Sequence, residues 1–364
     1  MIVKKIFVFL QTALLSLSLG IFAVACDNGN EGDYDGGDIL SVDNICYVLN
    51  NGNSGGNDAS IQHYDISTGI ATLGDSQNNI FVLQNGSLLG DLAQNMLWIG
   101  DKLFVAVGGS QKLEILDTQG KRLREYYSYS EIGASPRMIT TDGNNVYVTN
   151  YDGNVYVYDA ATADYIRKIA VGVRPEGISY YDGYLVVNNS GTLWVYDGTV
   201  SIISLESGEV NTVQLVNPYT ASVVCNGKVY IIDRGNYSDI PSEIYCVSPK
   251  EGTVTPMGLN ASAIATYGNS LYYVNNEWNY DVNDFIASPL YALDVVTGEK
   301  REILSASKMT NVNSLSVNPA TGDLYIGYSA AYGVLGFMRI YDADGVERGM
   351  FTAGYYPGGA YFKN

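Results

Sequence analysis

The chain lacks several residue types and motifs on which common chemistries depend. Its single histidine, His63, cannot supply a polyhistidine metal site or a Cys/His zinc cluster. It has no phosphate-binding P-loop, no GxGxxG in a βαβ setting and no DxDxDG calcium loop. The sequence therefore predicts no catalytic residue, no cofactor and no metal, and it indicates that the protein is not an enzyme.

Basic residues and proline are also scarce. Lys and Arg total 20 against 38 Asp and Glu, so the formal net charge is −18, and there are only 9 prolines. A surface this acidic repels phosphate backbones and anionic head groups, which argues against nucleic-acid binding and direct adhesion to lipid. No segment after the first 25 residues shows a helical period. The abundance of Gly (40) and Tyr (31) favours many short strands joined by tight turns.

The N-terminus has the pattern of a secretory signal. Lys4 and Lys5 precede an apolar run, and small residues lead up to Cys26. This ending resembles a bacterial lipobox, in which the cysteine is lipidated. Residues 1–25 are therefore interpreted as a lipoprotein signal peptide. Residues 26–40, rich in Gly, Asn and acid, are interpreted as a flexible tether.

Three cysteines follow the tether: Cys46, Cys225 and Cys246. An odd number excludes a fully paired disulfide framework. Each lies in an apolar, strand-like run, which favours buried free thiols that pack as small hydrophobes. A disulfide between Cys225 and Cys246 stays open as an alternative, although the two flank a whole predicted strand.

An internal repeat determines the predicted fold. Strand-like runs such as VYVTN and LYYVN return seven times, each after a turn signal and before further strand-like runs. Their central residues are Tyr47, Phe104, Tyr147, Leu185, Tyr230, Tyr272 and Tyr325. Successive central residues lie on average about 46 residues apart along the chain. Repeats of about this length, with about four strands each, are typical of propeller blades. Residues 41–364 are therefore predicted to form an all-β, seven-bladed β-propeller.

The two ends of the predicted propeller complement each other. The first repeat has no inner strand upstream, and the last eight residues, PGGAYFKN, resemble the inner strands of other repeats. We therefore predict that the C-terminal strand is the innermost strand of the first blade, which removes an open sheet edge. By the same alignment, His63 occupies an inward position and is predicted to be a core residue.

Binding residues are expected where the loop after each repeat strand and the linkers between blades emerge together. Five of the seven residues that end the repeat strands are Asn or Asp, a pattern that strand ends and turns explain by themselves. The loops of the fourth to seventh blades are long and aromatic, which indicates a binding surface. The alternative is that their aromatics pack on one another. The predicted ligand-binding residues are Asn150, Tyr151, Arg174, Asn188, Trp194, Arg234, Tyr237, Asn276, Trp278, Tyr280, Tyr332 and Tyr356.

A family resemblance rests on the segment QNGSLLGDLAQNMLWIGDKLFVAVGGSQKLEILD, on the lipobox and on the acidic tether. The segment resembles YncE-like propellers of Bacteroidetes lipoproteins, and the chain from residue 41 onward is similar to the BtuG type of cobamide-binding surface lipoprotein from gut Bacteroides. The resemblance implies a propeller anchored on the outer face of the outer membrane. It further implies capture of cobalamin or cobinamide as a transported ligand and transfer to an outer-membrane TonB-dependent transporter.

The residues suit such a ligand, because Asn and Tyr pair with the amide groups of a corrin and aromatic faces cover its apolar surface. Arg174 or Arg234 is expected to meet a phosphate, unless each forms a salt bridge with one of the many acids. Three alternatives stay open: a propeller that binds another ligand such as a glycan, a calcium-dependent propeller hydrolase or lactonase, and a purely structural or adhesive propeller.

Overall fold

The chain forms seven four-stranded antiparallel sheets, numbered here as blades 1 to 7 in chain order. The computed structural model describes residues 44–127, 134–279, 284–329 and 331–363, with backbone alone at 277–279 and 284–285. From the innermost strand outward, the strands are Pro357–Phe362, Ile45–Asn50, Ser60–Asp65 and Ile70–Ala71 in blade 1; Ala93–Ile99, Lys102–Val107, Lys112–Leu116 and Arg122–Tyr127 in blade 2; Pro136–Thr141, Asn145–Asn150, Asn154–Asp159 and Tyr165–Ala170 in blade 3; and Pro175–Tyr181, Tyr184–Asn189, Thr199–Ser204 and Val210–Gln214 in blade 4. They continue as Pro218–Cys225, Lys228–Asp233, Glu243–Ser248 and Thr253–Pro256 in blade 5; Ala263–Tyr267, Ser270–Val274, Leu290–Asp294 and Lys300–Leu304 in blade 6; and Val312–Val317, Leu324–Tyr328, Phe337–Tyr341 and Glu347–Thr352 in blade 7.

The innermost strands contact one another in an unbroken ring. The contacts run in chain order from blade 2 to blade 7, and the innermost strand of blade 1 contacts both blade 7 and blade 2. This arrangement confirms the predicted seven-bladed β-propeller. Each innermost strand pairs with the second strand of its own blade and packs against the innermost strands of both neighbouring blades, so no blade lacks a neighbour on either side.

The C-terminal strand closes the ring. Pro357–Phe362 pairs antiparallel with Ile45–Asn50, with Tyr361 opposite Tyr47 and Ala360 opposite Val48. The first and last strands of the propeller therefore belong to one sheet, as the sequence predicts. The pairing ties the two ends of the propeller together through backbone hydrogen bonds.

The second strand of each blade forms the core. In blade 3, Asn145–Asn150 has five consecutive buried residues, whereas Tyr165–Ala170 at the outside has none. Neighbouring sheets pack face to face and cover both faces of the second strand, so its sequence is a continuous apolar run without alternation. The seven repeat residues identified in the sequence all lie in these second strands, and none is more than 4% exposed.

Two of the Asn and Asp residues that end second strands, Asn50 and Asp233, hold the linkers between blades. The Oδ1 atom of Asn50 accepts a hydrogen bond from the Gly354 amide (3.0 Å), in the linker that leads into its blade. The carboxylate of Asp233 accepts from the Val216 and Asn217 amides (2.8 and 2.9 Å) in the linker to blade 5. Holding a strand end and its linker therefore explains why Asn50 and Asp233 are polar, without any role in ligand binding.

His63 packs edge-on against Tyr47, with the ring centroids 4.5 Å apart. Its Nε2 atom is buried without a hydrogen-bond partner among the described residues. Burial lowers the pKa of His63 to about 4, so the ring is neutral at pH 7. Cys46, Cys225 and Cys246 are all free thiols, as predicted, and the first two are buried.

Two short elements differ from the expectation of a chain without helices. A helix spans Ile80–Asn85, where the Asn79 side chain accepts hydrogen bonds from the amides of Phe81 and Val82 (3.1 and 3.2 Å), and a 3₁₀ turn spans Ala306–Lys308. A helix of six residues is too short to produce a periodic pattern, so its sequence signal is the capping residue alone. No helix in the described ranges has the length and apolar character that crossing a membrane requires.

Candidate functional site

One face of the propeller collects the loops between second and third strands together with the linkers between blades; we call it the rim face. A backbone hydrogen bond joins these two segments in successive blades. The amide of Tyr151 donates to the Ala134 carbonyl (2.9 Å), and that of Ser190 donates to the Arg174 carbonyl (3.0 Å). Because the strands are antiparallel, each second strand ends where the innermost strand of its blade begins. The rim face therefore surrounds one mouth of the central channel.

Six side chains from blades 3 to 5 form a connected cluster on this face, which we call the arginine–tyrosine cluster. Its members are Arg137, Tyr151, Arg174, Glu176, Tyr219 and Arg234. Arg137, Glu176 and Tyr219 are each the second residue of an innermost strand, directly after a proline. The same position in three successive blades therefore brings these side chains to one sector of the channel mouth.

The centre of the cluster is a buried ion pair. The Nε atom of Arg137 lies 2.7 Å from Oε2 of Glu176, and the two side chains are 9% and 0% exposed. The Tyr151 hydroxyl donates a hydrogen bond to Oε1 of Glu176, and Nη2 of Arg137 lies 3.5 Å from the Tyr219 hydroxyl. Burial acts to lower the pKa of Arg137, but the facing carboxylate raises it, so the guanidinium stays charged. Burial and the Glu176 charge both raise the pKa of Tyr151, which keeps its phenol protonated.

The other two arginines lie against tyrosine rings. The Arg174 guanidinium is 4.7 Å from the centroid of the Tyr151 ring, and that of Arg234 is 3.7 Å from the centroid of the Tyr219 ring. These distances are typical of cation–π contacts. The structure thus joins the predicted residues Tyr151, Arg174 and Arg234 through Arg137, Glu176 and Tyr219.

Exposed aromatic side chains lie on the loops of blades 4 and 5. Trp194 is 73% exposed and Tyr237 is 50% exposed. The ring of Tyr196 lies 6.4 Å from that of Tyr237, so the two loops contact each other. The backbones of Trp194, Tyr196 and Tyr237 have φ of 65°, 60° and 56°, a left-handed region that bulky residues seldom occupy.

Other predicted site residues lie below the surface or elsewhere on the rim. Asn150 and Asn188 are fully buried, and the Asn188 side chain donates to the carbonyls of Tyr219 and Ala221 (2.7 and 3.0 Å). The Asn188 amide therefore lies between blades 4 and 5, whereas the buried Asn150 amide donates to the Val148 carbonyl of its own strand (3.1 Å). Asn276 is half-buried, and its side chain donates weakly to the Val312 carbonyl (3.4 Å).

The remaining predicted residues divide between blade 7 and the undescribed parts of the chain. Tyr332, on the loop of blade 7, is 67% exposed, and Tyr356, with φ of 50°, immediately precedes the closing strand. Trp278 lies on a hairpin, Asn276–Asn279 with Asp284–Ala287, that the sequence analysis treated as an irregular loop. Its side chain, together with Tyr280 and Cys26, lies outside the described residues.

Sequence reasoning missed Arg137 and Glu176, which hold the cluster together. The available signal was the proline that begins the innermost strands in SPRM, RPEG and NPYT. Aligning the residue after each proline shows that three successive blades place Arg, Glu and Tyr at one equivalent position. Pairing between such positions depends on the radial arrangement of blades, which single repeats do not reveal.

Elsewhere in the described residues there is a groove, but no cluster of side chains that would hold a metal. A groove of about 320 Å³ lies between the outer parts of blades 1 and 7, lined mainly by small and apolar residues such as Ala71, Leu335 and Phe351. It carries one charged side chain, Asp75, and no cluster of polar groups that would orient a ligand. Among the described residues, no three His, Cys, Asp or Glu side chains come together in a way that would hold a metal.

Comparison with known proteins supports the fold. No family model matches the chain, and no curated protein matches it. A solved structure of a quinonprotein alcohol dehydrogenase-like protein from Bacteroides thetaiotaomicron is similar, with a TM-score of 0.64 and 16% identity over 89% of this chain and 79% of that chain. Hydrazine synthase of Kuenenia stuttgartiensis has a TM-score of 0.54 at 14% identity, over 82% of this chain and 96% of that chain. The computationally designed Ika8 protein also has a TM-score of 0.54, at 13% identity, over 84% of this chain and 87% of its own. At these identities the likeness shows a propeller fold and nothing about activity.

Proposed function

We propose that the protein is a non-catalytic propeller that captures a ligand on its rim face. The observation that carries this proposal is the group of aromatic residues Trp194, Tyr196 and Tyr237. All three have positive φ, and the side chains of Trp194 and Tyr237 are largely exposed to solvent. Strained backbone and exposed apolar rings both cost folding free energy, and such features concentrate where a protein binds something. A ligand that covers these rings recovers about 25 cal/mol for each Å² of apolar surface removed from water.

The ligand we propose is a cobamide such as cobalamin or cobinamide, as the family resemblance implies. A corrin is large and rigid, with an apolar ring edge and a fringe of amides. Trp194 and Tyr237 offer aromatic faces for the apolar surface, and tyrosine hydroxyls and loop amides offer hydrogen bonds. Capture on a rim that is formed before the ligand arrives costs little ordering entropy, which supports high affinity.

We further propose that lipidation of Cys26 anchors the protein to the outer membrane, with the propeller facing the exterior, and that the ligand passes to a TonB-dependent transporter. The support is the sequence of residues 1–40. A Cys26→Ser variant expressed in a Bacteroides host is expected to leave the membrane fraction. Retention of this variant in the membrane fraction would contradict the lipid anchor.

Isothermal titration calorimetry with cyanocobalamin and with cobinamide tests the ligand. We expect saturable binding at micromolar protein, weakened at least about tenfold by Trp194→Ala or Tyr237→Ala, because a buried aromatic contact contributes about 1.4 kcal/mol or more. Tyr165→Ala is the matched control, since Tyr165 is 38% exposed and begins the outermost strand of blade 3, at the end of the sheet opposite the rim face.

Each outcome of this titration has a distinct meaning. No heat and no spectral change with either corrinoid would end the cobamide proposal, and a glycan array with the same protein then tests the other ligand class. Equal affinity of Trp194→Ala, Tyr237→Ala and wild type would show that a ligand binds elsewhere. Weakening by Tyr165→Ala to the same extent would also remove the rim face as the site.

A further inference from the structure

We propose that the arginine–tyrosine cluster is a subsite for an anionic oxygen group, a phosphate or a carboxylate, of the ligand that the rim face binds. For the identity of the whole ligand this inference rests on the proposed function. The anion-binding step is separate, because it depends on Arg174 and Arg234 and not on the exposed aromatics. The two proposals can therefore fail independently.

The cluster carries excess positive charge in an acidic protein. Its three guanidinia face a single carboxylate, that of Glu176, which is fully buried and already bonded to Arg137 and Tyr151. The chain has 38 acidic residues, so carboxylate partners are plentiful. Even so, no carboxylate among the described side chains forms an ion pair with Arg174 or Arg234. With no counter-charge among the described side chains, two guanidinia beside one channel mouth create a local field that attracts an anion.

The two guanidinia are placed for such a contact. Each lies over a tyrosine ring, 4.7 Å from the Tyr151 centroid for Arg174 and 3.7 Å from the Tyr219 centroid for Arg234. A stacked guanidinium uses its face for the ring and keeps its N–H edge available for two parallel hydrogen bonds to a carboxylate or phosphate. Lysine or glutamine in the same place would lack this combination of charge and fork geometry.

The two tyrosines under these guanidinia are themselves held in place by neighbouring residues. Tyr151 donates its hydroxyl hydrogen to the buried Glu176, and Tyr219 lies within reach of the Arg137 guanidinium. The backbone of Tyr219 is held as well, since its carbonyl accepts from the Asn188 side chain (2.7 Å). A subsite held in this way loses little freedom when an anion binds.

The backbone of Arg174 supports the same conclusion. Its φ of 51° lies in the left-handed region, which is unfavourable for arginine. Two hydrogen bonds from Ser190, through its amide and its hydroxyl, hold the Arg174 carbonyl (3.0 and 3.1 Å). The surrounding structure thus imposes a conformation that directs this side chain onto Tyr151, which is the pattern found where strain serves binding.

The test is calorimetric titration of the mature protein at pH 7 and constant ionic strength, with inorganic phosphate and with acetate as probes. The test variant combines Arg174→Gln and Arg234→Gln. The control combines Arg167→Gln and Arg301→Gln, which removes the same charge from the outermost strands of blades 3 and 6. We expect wild type and control to bind one of the two anions saturably and the test variant to bind it at least tenfold more weakly.

The outcomes separate the subsite from the proposed function. Equal anion affinity of wild type and test variant, or no saturable binding of either probe by wild type, overturns the subsite. Binding of phosphate alone or acetate alone supports it and identifies the anion class. If the test variant binds cyanocobalamin as tightly as wild type, the proposed function stands and the subsite is overturned. If wild type binds an anion saturably but does not bind cyanocobalamin, the subsite stands and the proposed function is overturned. If the test variant unfolds, Arg234→Lys replaces it, because lysine keeps the charge and removes the fork, and an unchanged anion affinity then overturns the subsite.

Discussion

Removal of residues 357–364 tests how the propeller holds itself closed. The deletion takes away the innermost strand of blade 1, which pairs with Ile45–Asn50 and contacts the innermost strands of blades 7 and 2. Without it, the ring has a gap, and the buried edge of Ile45–Asn50 meets water. The effect should therefore exceed that of trimming an ordinary chain end.

The structure sets the size of the expected loss. Besides the strand ladder, four hydrogen bonds among the described residues join the closing strand to other blades. They join the Pro357 carbonyl to the side chains of Asn313 (2.9 Å) and Ser314 (2.7 Å), the Ala360 amide to the Ser316 hydroxyl (3.0 Å), and the Tyr361 hydroxyl to the Asn95 side chain (3.0 Å). At about 1 kcal/mol each they contribute about 4 kcal/mol. The ladder adds a similar amount, and the chain entropy regained by the freed strand offsets part of the total. We expect the free energy of unfolding to fall by about 5 kcal/mol, out of the 5–15 kcal/mol typical of folded proteins.

Thermal and urea unfolding followed by far-ultraviolet circular dichroism measure this loss. A decrease of about 5 kcal/mol corresponds to a Tm lower by about 7 °C for a domain of roughly 320 residues. The control lacks only Lys363 and the residue after it, which lie beyond the strand. Equal Tm values for the long and short deletions would refute the claim that the C-terminal strand closes the ring.

Three further predictions concern buried groups. Burial holds the pKa of His63 at about 4 against 6.5 for a free histidine, so between these pH values the native state binds fewer protons than the unfolded chain. Its contribution to the free energy of unfolding should fall by about 3 kcal/mol from pH 7 to pH 4. Urea titrations should show this part of the pH dependence missing in His63→Phe; identical slopes in the two proteins would contradict the neutral buried ring. Glu176→Gln should cost about 3–5 kcal/mol in a urea titration, because it leaves the Arg137 charge buried without a partner, and adding Arg137→Met should restore much of the loss. If the double variant were no more stable than Glu176→Gln, the ion pair would not be the cause. Gly354→Ala should lower stability by about 1–3 kcal/mol, because the new methyl group would overlap the Gly74 carbonyl and the Asn50 side chain, whereas Gly349→Ala, with ordinary contacts, should change the urea midpoint little.

The site was less predictable than the fold. Tyr151, Arg174 and Arg234 were selected from the sequence because they stand in loops, and the structure brings them to one sector. Asn150 and Asn188 were selected by the same reasoning, yet both are fully buried. A polar residue at a strand end either faces solvent or holds a linker, and the local sequence is the same in both cases.

The sequence alone determined the number of blades and how they close. Seven apolar runs of one type must each be covered on both faces, and only stacked sheets do this, while a missing inner strand at one end and a spare one at the other leave a single way to complete the ring. Tertiary structure alone decided that Arg137, Glu176 and Tyr219, 39 and 43 residues apart along the chain, meet at one channel mouth. Equivalent positions in successive blades become neighbours only when the sheets are arranged around an axis. The charges at these positions then interact between blades, and the sequence of a single repeat does not indicate that interaction.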